Sequence, residues 1–131
     1  MENNQIIKYL EDNYVENIIE EKKDVNYVIL SFEYAFDKES YEAARSYANE
    51  ESDYEQESEE WYNEYYYPYL KDLATDDVSA IIEDMQDELN VFAIYNTESS
   101  SRAGFVQFKF LVAVSDEIDV DELEDILNDY D

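Results

Sequence analysis

Acidic residues outnumber basic residues by 36 to 8 in this 131-residue chain, which gives a formal net charge of -28 at pH 7. Such a charge is typical of disordered chains when apolar residues are scarce, because little buried surface then offsets the entropy lost on folding. Here 45% of the residues are hydrophobic and 16% are aromatic, and they recur at helix and strand spacings. With a single glycine and a single proline, no linker is visible. The sequence therefore predicts one folded acidic domain spanning residues 1–131.

The chain contains neither histidine nor cysteine. It therefore lacks the commonest general base, imidazole and thiolate metal ligands, and disulfides. It also has no P-loop and no GxSxG motif. A pair of carboxylates among 36 acidic residues identifies no catalytic site. These absences predict a protein that is not an enzyme and that uses no cofactor and no metal site.

The N-terminal segment MENNQIIKYLED has neither the basic start nor the apolar run of a signal peptide. No stretch approaches the ~18 consecutive apolar residues of a membrane span. The sequence thus favours a cytoplasmic location, in the host cell if a phage encodes the protein, with no membrane contact.

Hydrophobic periodicity predicts an α+β domain in which a three-stranded antiparallel sheet packs with about five helices. The expected order is α-β-α-α-α-β-β-α. The first helix is expected from Asn4 to about Glu21, with Ile6, Ile7, Leu10, Tyr14 and Ile18 on its apolar face, and the first strand from Val25 to Phe36.

The remaining elements follow from the same patterns. Two helices between Asp37 and Leu73 should meet near residues 51–53, with Pro68 interrupting or ending the second. A further helix is expected from about Asp77 to Leu89. Strands from Val91 to Asn96 and from Phe105 to Val114, joined by TESSSRAG, predict a hairpin, and a last helix runs from Asp119 to Asp129.

The segment from Asp53 to Tyr69 combines aromatic and acidic residues. A projection at ~100° per residue places an aromatic stripe on one face, formed by Tyr54, Trp61, Tyr65 and Tyr69 with Tyr62 at its edge. Glutamates flank this stripe on both sides, namely Glu55 and Glu59 on one and Glu57, Glu60 and Glu64 on the other. Side chains three or four apart on a helix lie ~5–6 Å apart, which is comparable to phosphate spacing along a nucleic acid strand.

This accumulation of charge opposes folding. Two like charges ~6 Å apart repel by up to ~0.7 kcal/mol in water, and carboxylates near the last turn of the C-terminal helix face the negative end of its dipole. A selected function is the simplest reason to keep such a surface. We predict a cationic partner that binds through the following residues: Glu50, Glu51, Asp53, Glu55, Glu57, Glu59, Glu60, Glu64, Tyr62, Tyr66, Tyr67, Glu83, Asp84, Asp87 and Glu88. The aromatic face also leaves homodimer formation open.

In charge and character, the chain resembles the DNA-mimic inhibitors that phages and mobile elements use against host defence, including Ocr-like and ArdA-like antirestriction proteins and acidic anti-CRISPR proteins. The resemblance implies a basic nucleic-acid-binding partner, such as a Cas nuclease or a restriction enzyme, whose DNA site the protein occupies. It implies no direct contact of the chain with nucleic acid.

Other interpretations fit parts of the sequence. An immunity protein or antitoxin would cover the cleft of a basic toxin or nuclease. Adaptation to high salt produces acidic surfaces, but it usually shrinks apolar side chains, whereas this chain keeps 14 Tyr and 6 Phe. Calcium binding at carboxylates such as Asp116 and Asp119 lacks the glycine and ligand spacing of an EF-hand.

Overall fold

The computed structural model describes residues 3–13, 15–34, 36–100 and 107–130 of the chain. It is an α+β protein with a four-stranded antiparallel sheet in the order β1-β2-β4-β3. The strands are β1 (Val15–Lys23), β2 (Val28–Tyr34), β3 (Phe92–Ser100) and β4 (Gln107–Ser115). Four helices accompany them within the described residues, so the predicted three-stranded sheet with about five helices is wrong, although the chain is α+β as predicted.

The helices are α1 (Asn3–Glu11), α2 (Lys38–Glu51), α3 and α4 (Val120–Tyr130). Helix α3 is continuous and consists of an α-helical turn at Glu59–Trp61, a π-helical segment at Tyr62–Tyr66 and a long α-helical part at Tyr67–Leu89. The observed order is α-β-β-α-α-β-β-α. No helix in the described part of the chain is long and apolar enough to cross a membrane.

Strand β2 lies in the middle of the sheet because both of its faces are apolar. Its residues are buried except for the half-buried Glu33. Phe32 pairs with Phe110 of β4, and their rings stack with centroids 5.5 Å apart. Alternate residues of β2 therefore enter two separate cores, as expected for a strand with helices on both faces of its sheet.

The larger core lies between one face of the sheet and helices α1, α2 and α3, and the smaller one lies under α4. In the smaller core, Leu123 and Leu127 of α4 pack on Ile29, Leu111 and Ala113. The Tyr34 hydroxyl donates a hydrogen bond to Asp77 and so connects β2 to α3. Burial of the Tyr34 ring, together with the Asp77 carboxylate, raises the pKa of this phenol.

Strand β1 is the strand that the sequence did not predict. The expected helix from Asn4 to Glu21 ends at Glu11, where the Asn13 side chain donates a 2.7 Å hydrogen bond to the Tyr9 carbonyl. Two register shifts and the positive φ of Asn17 (54°) interrupt the pairing of β1 with β2. Such irregularities remove the two-residue alternation by which an edge strand is recognised. Tyr14, Ala35 and the predicted strand start at Phe105 lie outside the described residues, as do residues 101–104 of the predicted connection.

The second and third predicted helices of the middle segment are one helix, and Pro68 neither ends nor interrupts it. A proline ring crowds the carbonyl four residues earlier and removes one backbone donor. In α3 the π-helical segment comes directly before it, and the Tyr67 backbone N–H bonds the Tyr62 carbonyl five residues back. The wider π-helical turn thus shifts the hydrogen bonding just ahead of Pro68 and accommodates the proline.

Candidate partner-binding surface

The predicted acidic residues between 50 and 64 occupy the end of α2, the connecting loop and the start of α3. Residues 52–58 are not helical, and Ser58 caps α3 by accepting a hydrogen bond from the Trp61 N–H. Asp53, Glu55 and Glu57 therefore lie in a loop, and the predicted helical ridges of glutamates through residues 53–58 are wrong. A serine followed directly by two glutamates is the sequence signal for this later start, because serine caps helices and acidic residues favour the first turn.

Seven of these residues form what we call the acidic surface. All are exposed, and within the described part of the chain none makes an ion pair with a lysine or arginine. They are Glu50, Glu51, Asp53, Glu55, Glu59, Glu60 and Glu64. Their charges are therefore open to solvent and to a partner.

The backbone environment differs within the acidic surface. Glu59 and Glu60 occupy the first turn of α3, where the helix dipole stabilises negative charge. Glu50 and Glu51 occupy the last turn of α2, which contains no basic residue, and there the dipole opposes them. The charges of these two α2 carboxylates therefore lower the local stability of the helix.

Glu57 belongs to the same stretch of sequence but has an internal role. Its Oε1 lies 2.6 Å from a guanidinium nitrogen of Arg45. The same guanidinium lies over the Trp61 ring, 5.8 Å from the ring centroid. Glu57 also has a positive φ of 69°, an uncommon conformation for a residue with a side chain. The pairing neutralises the Glu57 charge, so this carboxylate is a weak candidate for partner contact.

The second predicted acidic group lies near the other end of α3. All four of its carboxylates are exposed. Glu83 is about 28 Å from Glu64 along the helix axis at a rise of about 1.5 Å per residue. Glu83 lines a cleft of about 650 Å³ beside the edge strand β3, whereas Asp84 and Glu88 lie close enough to α1 to raise the pKa of Tyr9, after the larger effect of burial. The structure thus places the group of Glu83, Asp84, Asp87 and Glu88 far from the acidic surface and divides its members between two sides of α3.

Aromatic residues of the π-helical segment stack in pairs five residues apart. The Trp61 and Tyr66 rings are 5.2 Å apart with an interplanar angle of 16°, and the Tyr62 and Tyr67 rings are 5.3 Å apart at 19°. In an α-helix, residues five apart diverge by about 140° at ~100° per residue. The i→i+5 hydrogen bonding of the π-helix brings such residues into register.

Tyr66 cannot serve as the interface residue that the sequence predicted. Its side chain is 1% exposed and packs against Trp61, which is fully buried. Burial raises the pKa of Tyr66 to about 12. Tyr62 and Tyr67 are half-buried and keep part of each ring available.

A second aromatic cluster lies on the outside of α2 and α3. Tyr65 is the centre of this cluster, with ring centroids 6.3 Å from Tyr47 and 6.4 Å from Tyr54, and Tyr69 lies 5.2 Å from Tyr47. The predicted stripe named Tyr54, Tyr65 and Tyr69 correctly as neighbours but included Trp61, which points into the core. It missed Tyr47, which stands beside the buried Ala48 on α2.

One carboxylate lies beside this cluster. Interaction with the Glu64 carboxylate raises the pKa of the Tyr54 phenol. Among the described residues, no group of three or more acidic side chains is arranged to hold a metal ion. On this part of the surface, carboxylates therefore border tyrosine rings. No protein-family model matches the chain, and no characterised protein and no solved structure matches it either.

Proposed function

We propose that the protein is a DNA mimic that inhibits a nucleic-acid-binding host-defence enzyme, of the anti-CRISPR or anti-restriction kind, by occupying its basic DNA-binding site. The inhibitor acts stoichiometrically and without a cofactor. Carboxylates of the acidic surface take the places of phosphates, and arginine and lysine side chains of the enzyme bind them.

One observation carries this proposal: the acidic surface exposes seven carboxylates that have no lysine or arginine partner in the described part of the chain. Basic residues that bind phosphates through charge and hydrogen bonds bind carboxylates by the same chemistry. Exposed carboxylates without a described basic partner therefore offer a DNA-binding site the kind of group that it normally selects.

The net charge of -28 supports the same function through the rate of association. A strongly negative protein attracts a positively charged cleft over a distance and accelerates encounter, and the acceleration falls as ionic strength rises. Glu50 and Glu51, at the unfavourable end of α2, add to this field at a cost to helix stability.

The first experiment identifies the partner. The tagged protein is used to capture proteins from cells that carry restriction and CRISPR systems, and each captured protein is then tested for loss of DNA binding. We expect a basic DNA-binding enzyme whose capture is reversed by duplex DNA and weakens steeply between 50 and 200 mM salt, a range over which phosphate-type contacts lose much of their affinity. A captured partner that does not bind nucleic acid would contradict mimicry and favour the immunity-protein or antitoxin function.

The second experiment tests the surface. Glu55, Glu59, Glu60 and Glu64 are changed together to lysine, while Glu57 is retained because it binds Arg45. We expect the affinity to fall on the order of 100-fold or more, since four attractive charge contacts become repulsive. The matched control changes four exposed acids near and on α4 to lysine, namely Glu117, Asp121, Glu124 and Asp125, with the same change in net charge. Equal losses in both variants would show that total charge, and not this surface, determines binding.

A further inference from the structure

A cleft of about 400 Å³ opens between α2 and α3 beside the acidic surface. Its apolar wall consists of tyrosine rings together with Pro68 and Leu73, and its rim carries three carboxylates. The tyrosines are Tyr47, Tyr65 and Tyr69, and the carboxylates are Glu64, Asp72 and Asp76. Lys71, the basic residue of α3, is not among the lining residues.

The α3 sequence produces this arrangement through two neighbouring rows. Residues 64, 68, 72 and 76 follow one another at intervals of four, and residues 65, 69 and 73 form the row beside them. Because side chains four apart lie one above another on a helix, one row carries the three acidic residues with Pro68 between them, and the next row is apolar. Tyr47 of α2 completes the wall, with its ring 5.2 Å from that of Tyr69.

The same chain shows how such groups hold a guanidinium. Arg45 lies over the Trp61 ring at 5.8 Å and bonds the Glu57 carboxylate at 2.6 Å. A ring face attracts the cation, and a carboxylate accepts its N–H groups. The cleft offers both kinds of group on its surface, tyrosine rings and carboxylates.

We propose that this cleft binds an arginine side chain of the basic partner, with the guanidinium plane on the Tyr47 and Tyr69 rings and its N–H groups donated to Asp72 and Asp76. The inference deepens the proposed function, from which it takes the basic character of the partner. Arginine fits better than lysine because its planar group stacks on rings and donates several hydrogen bonds in one plane. The cleft thereby adds a geometric requirement to an attraction otherwise based on charge.

Binding to the cleft is testable without a partner. The free protein is titrated with acetyl-Gly-Arg-Gly-amide, and with the citrulline and lysine versions of the same peptide, at constant ionic strength, while NMR follows the tyrosine ring signals. We expect the arginine peptide to shift the Tyr47, Tyr65 and Tyr69 signals and to bind at least 10-fold more tightly than the uncharged citrulline peptide. Binding several-fold weaker is expected for lysine. Equal responses to arginine and citrulline, or arginine shifts spread evenly over all tyrosines, would overturn the assignment.

Variants separate the cleft from the general charge. Asp72→Asn with Asp76→Asn should weaken arginine-peptide binding at least 5-fold, whereas Asp121→Asn with Asp125→Asn, an equal charge change on α4, should leave it unaltered. Tyr69→Leu keeps apolar bulk but removes a ring face and should also weaken binding. Amide spectra of each variant verify the fold. Equal affinities of the two double-aspartate variants for the arginine peptide would contradict the proposal that this cleft binds arginine.

The two proposals also fail differently. The captured enzyme could lose affinity for the variant with four lysines on the acidic surface but bind the Asp72→Asn, Asp76→Asn variant normally. In that case the proposal of an arginine site in the cleft is wrong, and the proposal of DNA mimicry is retained. If the arginine peptide binds in the cleft but the captured partner does not bind nucleic acid, the cleft stands and the mimicry is wrong.

Discussion

Carboxylates have opposite roles on the sheet and on the acidic surface. Near the sheet, Glu21 accepts hydrogen bonds from Ser31 of β2 at 2.8 Å and from Tyr130 of α4 at 3.1 Å, and its carboxylate lies 3.8 Å from the Lys109 ammonium of β4. Glu21 thus connects strand β1 to β2, β4 and α4. The seven carboxylates of the acidic surface form no ion pair with a described base.

This difference distinguishes charge that maintains the fold from charge that is available to a partner. The Ser31 hydrogen bond, with smaller contributions from Tyr130 and Lys109, holds the pKa of Glu21 below its usual range even though desolvation acts in the other direction. A group that the folded state stabilises in its charged form contributes to stability. Glu57, paired with Arg45, is the member of the 50–64 stretch that resembles Glu21.

The largest effect on stability in this comparison is expected for Arg45→Ala. The substitution removes the ion pair with Glu57, worth about 0–1 kcal/mol at an exposed site, and the cation contact with Trp61, worth about 0.5–1 kcal/mol. It also uncovers part of the Trp61 ring. We expect the free energy of unfolding in urea to fall by about 1–2 kcal/mol.

Lys38→Ala is the matched control for that change. It alters the net charge equally but removes only the exposed ion pair with Glu42, at 3.8 Å on the same helix. We expect the free energy of unfolding to fall by only about 0.3 kcal/mol. Similar losses for the two variants would show that the Arg45 site is an ordinary surface pair.

A smaller effect is expected for Glu21→Ala, which leaves the Ser31 hydroxyl and Lys109 without their shared acceptor. The free energy of unfolding should fall by about 1 kcal/mol near neutral pH, the usual contribution of a hydrogen-bonded group. Glu55→Ala, on the acidic surface, should change it by less than about 0.3 kcal/mol.

The Glu21 contribution also depends on pH in a defined direction. Because the folded pKa is lowered, the contribution is fully present above the unfolded pKa of about 4.3 and is lost as pH falls through the folded pKa. The stability difference between wild type and Glu21→Ala should therefore shrink in acid. A difference that stays constant from pH 7 to pH 2 would exclude an ionised Glu21 as its source.

The sequence revealed the regular parts of this fold and missed the irregular ones. Strand β2 was recognisable because it is a run of β-branched and aromatic residues, which the structure buries on both faces. Strand β1 was not, because its register shifts and the positive φ at Asn17 disturb the alternation, while Ile18 prolongs an apparent helical spacing. Pairing with β2, a tertiary contact, determines the conformation of that segment.

The site shows the same division. The concentration of acids from residue 50 to residue 64 was evident from the sequence, but their division between loop and helix depends on the Ser58 cap. The π-helical segment could not be anticipated from a fixed 100° projection, and it turns Tyr66 into the core instead of toward a partner. Tyr47 belongs to the outer cluster because α2 packs beside α3, a tertiary contact that helical spacing does not predict.

The smallest effect concerns the acidic surface itself, where stability and binding are expected to oppose each other. Glu51→Lys places a cation at the negative end of α2 and should raise the free energy of unfolding by about 0.5 kcal/mol while weakening partner binding. Glu39→Lys makes the same charge change in the first turn of α2 and should lower the free energy of unfolding by a similar amount. Thermal unfolding at low salt measures both, and high salt should reduce the difference. If both substitutions stabilise the protein equally, the gain comes from relief of general charge repulsion and not from the position of Glu51 at the helix end. If only Glu51→Lys stabilises the protein and it also weakens binding, the Glu51 carboxylate is retained for a partner and not for the fold.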